Sequence, residues 1–177
     1  MSTARPPEGA RTEAQEGGGL LTDTARPPEG ARTEAREGGG SPSSSIGPIA
    51  LGIGCDRGTP ASTLAWAVVD ALAACQASLT DVVAVASIDL KADEPGLHAL
   101  ARWQGWSIRF YPAAELAKVP VPHPSETVRK YTGTPSVSEA AALLAAGTDM
   151  SGLLLEKHKY RGPDGRHATV SIARIPR

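Results

Sequence analysis

From residue 48 onward, hydrophobic positions recur at two different spacings, which is typical of strands that alternate with helices. Three short apolar or aromatic runs predict buried strands: 48–54, 82–88 and 106–111. Between these runs, residues 59–75 and 93–105 carry apolar side chains at helical spacing, and Thr59 and Asp93 are the expected N-terminal caps. The pattern therefore predicts strand–helix–strand units with parallel strands.

The second half of the chain predicts further helices and a final pair of strands. Residues 113–117 and 125–131 are short helical stretches between prolines. The segment 136–146 begins with the Ser-x-x-Glu spacing of a capping box and continues as an alanine-rich helix. Two extended runs within 153–173 flank a Gly-Pro-Asp-Gly turn, which indicates an antiparallel hairpin. We therefore expect an α/β protein, a three-layer α/β/α domain whose mixed, roughly five-stranded sheet ends in that hairpin.

The first 47 residues have a different character from the rest. Residues 3–19 and 24–40 form a tandem copy that differs at Gln15 against Arg36, and their apolar content is almost entirely alanine. Such a segment buries too little apolar surface to offset the entropy of ordering it. We predict that residues 1–47 are a disordered tail and that residues 48–177 form one domain.

Charge and composition exclude several classes of protein. The 177 residues include 18 Lys and Arg against 19 Asp and Glu, so a strongly basic nucleic-acid-binding domain is not expected. Apolar runs stay well short of the roughly 18 residues of a membrane-spanning helix. The cysteines and histidines lack the spacing of a metal site. We expect a cytoplasmic protein without a nucleic-acid partner, a membrane partner, a metal site or a resident cofactor.

Three turns combine small residues, hydroxyl groups and a nearby cation: 54–59, 87–91 and 132–138. Two of them precede predicted helices, whose unpaired N–H groups attract anions. Because parallel strands bring such turns to one edge of a sheet, the turns predict a site for an anionic ligand. For any one turn alone, helix capping is the favoured explanation, and the coincidence of three turns is what brings a ligand site level with it.

Candidates for catalysis are weaker. Cys55 lies in a glycine-rich turn beside Arg57, an environment that would lower a thiol pKa, but a tight turn also favours a small side chain. Asp89 and Glu94 have the chemistry of a general acid or base, although acids in the first turn of a helix also stabilise it. The sequence leaves the catalytic residues open among these three.

Three motifs, in order along the chain, resemble the CobE proteins and the C-terminal domain of CbiG, a family of cobalamin biosynthesis. The motifs are 52–59 (GIGCDRGT), 86–97 (ASIDLKADEPGL) and 132–141 (TGTPSVSEAA), and Lys157 before the last hairpin also fits. Asp56 departs from the pattern, since the family more often has a basic residue there. The turns and the resemblance together predict a binding set: Gly54, Cys55, Arg57, Gly58, Thr59, Ser87, Lys91, Gly133, Ser136, Val137, Ser138, Glu139 and Lys157.

The resemblance implies a protein that binds a corrinoid, a precorrin-type intermediate, as a carrier or accessory factor. Cobalt would then arrive within the macrocycle, and other enzymes of the pathway would be its partners. Arg57, Lys91 and Lys157 would meet the carboxylate rim of the ring, and Ile88, Leu90 and Val137 its apolar body. The alternative is a hydrolase that opens the lactone of cobalt-precorrin-5A and releases acetaldehyde. A third reading, a module that binds a protein through the Arg-Pro-Pro tail, also stays open.

Overall fold

A five-stranded mixed sheet forms the centre of the molecule. The computed structural model describes residues 46–177, so the predicted disorder of the repeated tail lies almost entirely outside the described residues. The strands occur in the order β3-β2-β1-β5-β4 across the sheet. Their bounds are Ile49–Cys55 (β1), Val82–Ile88 (β2), Ile108–Tyr111 (β3), Leu153–Arg161 (β4) and His167–Arg174 (β5).

Helices connect and cover these strands. The α-helices are Ala61–Ala74 (α1), Pro95–Gln104 (α2), Ala113–Leu116 (α3), Glu126–Thr132 (α4) and Val137–Ala146 (α5). Short 3-10 turns precede β2 at Leu79–Asp81, follow it at Asp89–Lys91 and precede β4 at Met150–Gly152. The expected alternation of strands and helices, the short helices and the terminal hairpin are all confirmed.

The pairing of the strands brings several turns to one edge of the sheet. β1 pairs in parallel with β2, and β2 pairs in parallel with β3, so the carboxyl ends of these strands coincide. β5 runs antiparallel to β1 with Cys55 opposite Ala168, and β4 runs antiparallel to β5. The end of β1 therefore lies beside the turn of the β4–β5 hairpin. This is the edge at which sheets of this kind usually bind ligands.

Alternate residues of β1 face two different helical layers, as the two-residue period of a strand requires. Ile49, Leu51 and Ile53 belong to the core under α1 and α2, where Leu64 and Leu97 are fully buried. The even-numbered residues face α5, and there Gly52 is necessary. A Cβ at this position would overlap the carbonyl oxygen of Ser138 and lie 2.6 Å from the backbone nitrogen of Ala142. Helices thus cover both faces, which confirms the three-layer architecture.

The starts of α1 and α2 differ from the expected ones. The Thr59 hydroxyl donates to the carbonyl of Asp56, and Asp93 accepts from Arg57, so neither side chain caps a helix. Pro60 and Glu94, rather than Thr59 and Asp93, occupy the N-cap positions of α1 and α2. Ser136 does cap α5 by position, but its side chain makes no capping hydrogen bond, and the predicted capping box is not formed. None of the helices within 46–177 has the length and apolar character needed to cross a membrane.

Candidate functional site

A cleft of about 800 Å³ lies at the edge where β1 ends. Its walls come from the turn after β1, the first turn of α5, the facing strands of the β4–β5 hairpin, and α4. A second cavity, of about 650 Å³, lies near the start of β4, and none of the predicted binding residues lines it. Of these two cavities, the cleft is the one that contains predicted binding residues.

Most of the predicted binding set meets in this cleft. The predicted residues that line it are Gly54, Cys55, Arg57, Lys91, Ser136, Val137, Ser138 and Lys157. They come from segments separated by up to a hundred residues, and the sheet edge brings them together.

The other predicted binding residues do not line the cleft, and each has a structural partner instead. Gly58 donates its N–H to Glu94 Oε1 at 2.6 Å, and the hydroxyl of Thr59 donates to the carbonyl of Asp56 at 2.8 Å. The buried hydroxyl of Ser87 donates to the carbonyl of Ile53 across the parallel strands at 2.7 Å. Gly133 ends α4 in a left-handed conformation, and Glu139 is buried behind Lys157.

Within residues 46–177, nine other residues line the cleft, and the predicted binding set does not include them. These are Asp56, Ser125, Thr127, Val128, Tyr131, Thr132, Lys159, His167 and Thr169. Strand alternation offered a signal for some of them, because Lys159 follows Lys157 by two residues and so shares its face of β4. The residues of α4 gave no such signal. Their approach to the cleft depends on how the segment 117–135, which contains α4, folds back toward the sheet edge.

Arg57 is not the free cation that its turn suggested. Its guanidinium donates to Asp93 Oδ1 at 2.6 Å and to the carbonyl of Leu90 at 3.1 Å. The hydrogen bond and the charge of Asp93 raise the pKa of Arg57, and the same contact lowers the pKa of Asp93. Arg57 therefore joins the turn after β1 to the turn after β2, and part of its charge is already compensated.

Glu94 supports the same junction from inside. Its side chain is fully buried, with Oε1 accepting from the Gly58 N–H at 2.6 Å and Oε2 lying 3.5 Å from Lys91 Nζ and 3.7 Å from the Arg57 guanidinium. Both oxygens are thus engaged in holding two turns together. The side chain does not line the cleft, which argues against Glu94 as a catalytic acid or base. Asp89 is exposed in the 3-10 turn after β2 and does not line the cleft either.

Lys157 is held at the cleft by a buried carboxylate. Its Nζ lies 3.3 Å from Oε2 of Glu139, which is fully buried, and it also donates to the carbonyl of His123 in the segment before α4. Neither oxygen of Glu139 has a hydrogen-bond partner within residues 46–177. Glu139, which the sequence suggested as part of a capping box, instead positions Lys157.

The first turn of α5 forms part of the cleft wall. Ser136, Val137 and Ser138 line it, and the Ser136 side chain does not accept a hydrogen bond from the helix. The hydroxyl of Ser138 accepts from Ser171 at 3.0 Å, which anchors this turn to β5. Because the first N–H groups of a helix lack intrahelical acceptors, this end favours an anion.

Burial, not Arg57, decides the chemistry of Cys55. Desolvation raises the pKa of its thiol from 9.0 to about 11, and the nearby charge of Lys91 acts in the opposite direction without outweighing it. The expected lowering of the pKa is therefore wrong, because the Arg57 guanidinium points to Asp93. A thiol that stays protonated at neutral pH is a poor nucleophile.

Asp56 is bound to the hairpin. Its Oδ2 accepts the backbone N–H of His167 at 2.8 Å and lies 3.1 Å from Nδ1 of the same residue. Burial tends to raise the pKa of Asp56, but the hydrogen bonds from the backbone and side chain of His167 outweigh it and hold the pKa below 3.8. The acid that departs from the family pattern thus forms a pair with a histidine of the cleft.

The apolar residues of the cleft also differ from the expected ones. Ile88 is buried in the core under α5, and Leu90 is half exposed but does not line the cleft. Val137 lines it as expected, together with Val128 and Tyr131 of α4. The ring of Tyr131 is 76% exposed, unusual for an aromatic side chain in a cleft wall.

The described residues contain no group of three or more His, Cys, Asp or Glu side chains that could hold a metal ion. In the β4–β5 hairpin His158 is paired with Val170 and His167 with Arg161, so the two histidines are not opposite each other. His158 lies 2.8 Å from Asp70 of α1, on the other side of β4 from the cleft lysines.

Comparison with known proteins identifies the family. Residues 49–173 match the model of the cobalamin synthesis G C-terminus. The chain is 39% identical over 128 residues to a cobalt-precorrin-5A hydrolase from Priestia megaterium, with 72% of this chain matching 32% of that protein. It is 36% identical over 127 residues to a protein CobE from a Sinorhizobium species, and the match covers 71% of this chain and 79% of that one.

Solved structures agree with this result. The crystal structure of a CobE protein superimposes with a TM-score of 0.60 at 35% identity and covers 73% of this chain and 91% of that one. The cobalamin biosynthesis protein chiG from Agrobacterium tumefaciens gives a TM-score of 0.52 at 32% identity, with 73% and 99% covered. The chain spans about a third of the hydrolase but most of the CobE proteins. It is a cobalamin biosynthesis protein and belongs to the family of the cobalamin synthesis G C-terminus.

Proposed function

We propose that this protein binds a corrinoid intermediate in the cleft and acts as a carrier or accessory factor for other enzymes of the pathway in the cytoplasm. The observation that carries the proposal is the meeting of Lys91, Lys157 and Lys159 with the open first turn of α5 in one cleft. A corrin precursor is an apolar macrocycle with a rim of acetate and propionate groups, and it needs several cations around an apolar surface.

The lysines differ in how free they are to meet a carboxylate. Lys91 and Lys157 each pair with a buried glutamate, which fixes the position of the ammonium group at the wall. Lys159 is exposed and has no ion-pair partner within residues 46–177. An ammonium that is held in place loses little entropy on binding, and an unpaired one loses no existing partner. Both kinds favour a ligand with several carboxylates.

The apolar side of the cleft suits the body of the ring. Val137 of α5 lines the cleft, and Val128 and Tyr131 of α4 also line it. α4 has no buried residue of its own, so burial of Tyr131 against a ligand would add apolar contact that the free protein lacks. The volume of about 800 Å³ lies in the range of ligand clefts.

The alternative is the hydrolase, and it is favoured by the 39% identity to a cobalt-precorrin-5A hydrolase. The geometry gives it less support. The Cys55 thiol has a pKa of about 11, Glu94 is engaged in the turns, and Asp89 lies outside the cleft. A nucleophile with a base in hydrogen-bond reach is therefore not assembled from the candidates.

The test is an absorbance titration of the full chain with cobyrinic acid, a coloured corrinoid polycarboxylate, and with its permethyl ester. We expect saturable binding of the acid and much weaker binding of the ester, since esterification removes the charges. Failure to bind either compound would refute a corrinoid-binding role. Incubation with the cobalt-precorrin-5A lactone separates the alternatives, because acetaldehyde release would favour the hydrolase.

Single variants then locate the site. Lys159→Ala should weaken the binding of cobyrinic acid by about 2- to 5-fold, the value of an exposed ion pair. Lys118→Ala, an exposed lysine outside the cleft, is the matched control and should bind normally. Lys91→Ala and Arg57→Ala should also weaken binding, and unchanged affinity in both, together with Lys159→Ala, would refute this cleft as the site.

A further inference from the structure

Asp56 and His167 form a hydrogen-bonded pair at the wall of the cleft. His167 lines the cleft, its side chain is 58% exposed, and its Nδ1 lies 3.1 Å from Oδ2 of Asp56. The backbone N–H of His167 donates to the same oxygen at 2.8 Å, so the carboxylate is fixed in position. Because an ionised carboxylate accepts, Nδ1 carries the proton, and the lone pair of the neutral ring is on Nε2.

The other histidines of the protein are arranged in the opposite way. In His98, His123 and His158 it is Nε2 that is engaged, with the carbonyl of Ala92 at 2.6 Å, with Glu156 at 3.3 Å and with Asp70 at 2.8 Å. In His167 the engaged nitrogen is Nδ1, and Nε2 has no partner within residues 46–177. His167 is thus the histidine whose free nitrogen belongs to the cleft.

A histidine that donates through Nδ1 to a carboxylate and keeps Nε2 free has the arrangement of a metal ligand. The carboxylate fixes the tautomer and the orientation of the ring. The described residues cannot form a metal site by themselves, since no cluster of ligands is present among them. The cobalt of a corrinoid is already bound by the nitrogens of the corrin ring. The protein therefore needs to supply only one further donor, at an axial position.

We propose that His167 is an axial ligand, through Nε2, to the cobalt of a cobalt-containing corrinoid bound in the cleft, and that Asp56 positions it. This inference rests on the proposed function, and it narrows the ligand to corrinoids in which cobalt is already inserted. In the binding step an Nε2–cobalt bond forms and the axial water leaves, with no change in oxidation state and no proton transfer. Lys91, Lys157 and Lys159 meet the carboxylate rim while the ring lies over His167.

The test uses the full chain with the Co(II) form of cobyrinic acid and with its metal-free analogue, in a buffer free of imidazole. In the electron paramagnetic resonance spectrum of low-spin Co(II), one axial nitrogen splits each high-field cobalt line into a triplet. We expect that triplet on binding, and a doublet when the protein contains ¹⁵N-labelled histidine. We also expect the metal-free analogue to bind at least about 10-fold more weakly.

Variants assign the nitrogen. His167→Ala should lose the triplet and bind the cobalt compound as weakly as the metal-free one. Asp56→Asn should keep the triplet but weaken binding by about 10- to 100-fold, the usual effect of removing a carboxylate that orients a ligand. His158→Ala, which breaks a similar pair with Asp70 outside the cleft, is the matched control and should retain both signal and affinity.

The outcomes separate this inference from the proposed function. Failure to retain either corrinoid overturns the proposed function itself. Equal binding of both corrinoids without nitrogen splitting overturns the role of His167 and leaves corrinoid binding in place. A triplet that persists in His167→Ala also overturns the assignment of His167 as the axial ligand. So does a shifted spectrum without nitrogen splitting, which would indicate the sulfur of Cys55 as the ligand.

Discussion

Lys157→Met should destabilise the protein strongly, because it leaves the carboxylate of Glu139 buried without its counter-charge. The carboxylate is fully buried, its oxygens have no hydrogen-bond partner within residues 46–177, and Oε2 lies 3.3 Å from Lys157 Nζ. At an effective dielectric constant of about 20, unit charges at this distance attract by about 5 kcal/mol. Since the lysine side chain is 21% exposed, water weakens this attraction, and we expect a loss of about 3 kcal/mol in the free energy of unfolding.

Urea unfolding at pH 7, followed by circular dichroism, measures this loss. With an m value of about 2 kcal/mol per molar, the midpoint should fall by about 1.5 M. The double variant Glu139→Leu, Lys157→Met removes both charges and should recover to within about 1 kcal/mol of the natural protein. Lys130→Met, at an exposed position of α4, controls for the loss of a surface lysine and should change stability by less than about 0.5 kcal/mol.

Two results would refute this reasoning. A midpoint for Lys157→Met equal to that of the natural protein would mean that Glu139 does not depend on the lysine charge. A double variant as unstable as the single one would mean that the loss comes from the packing of the lysine stem, not from an uncompensated carboxylate.

The surroundings of Cys55, Gly52 and Asp93 each predict a measurable result. In a Cys75→Ser background, the rate at which iodoacetamide alkylates Cys55 should be low at neutral pH and rise with an inflection near pH 11. An inflection at or below about pH 8.5 would contradict the argument that burial raises the thiol pKa. Gly52→Ala should lower the free energy of unfolding in urea by at least about 3 kcal/mol, because its Cβ would overlap α5. Gly105→Ala, with open space around it, should lower it by about 1–2 kcal/mol for its positive φ alone. Equal losses would contradict the close contact at Gly52. The pKa of Asp93, measured by NMR, should lie below 3.8 in the natural protein and rise toward 3.8 in Arg57→Gln. The ion pair therefore contributes to stability above pH 3.8, and this contribution is lost as the pH falls through the lowered pKa. An Asp93 pKa that is the same in both proteins would contradict the ion pair.

The elements of the fold were predictable because their signals are local. The apolar run before Gly54 and the β-branched run 82–88 became β1 and β2, and the Gly-Pro-Asp-Gly turn became the hairpin turn. Those patterns depend on a residue's immediate neighbours, and tertiary packing did not overrule them. The edge at which the site lies followed from the parallel pairing that the alternation of strands and helices requires.

The partners of the charged side chains were not predictable in this way. Arg57 pairs with Asp93, which lies 36 residues away, and Glu139 pairs with Lys157 instead of capping its own helix. His167 reaches the cleft because the register sets Cys55 opposite Ala168, a pairing that no local pattern contains. Residue types at the turns indicated the charge of the site, but the choice of partner required the three-dimensional structure.

The weak attachment of α4 has a consequence for how this cleft can change over evolutionary time. No residue of α4 is buried, and the helix is held by contacts at its ends, such as the hydrogen bond from the Ser125 N–H to the Pro135 carbonyl. The opposite wall, by contrast, is built from the β1 turn and α5, which are packed closely against the sheet. Substitutions in α4 can therefore change the shape and polarity of the cleft wall at little cost in folding stability. The same number of changes in the opposite wall would first threaten the fold. Selection for a different ligand preference is expected to act on α4 before any other part of the cleft.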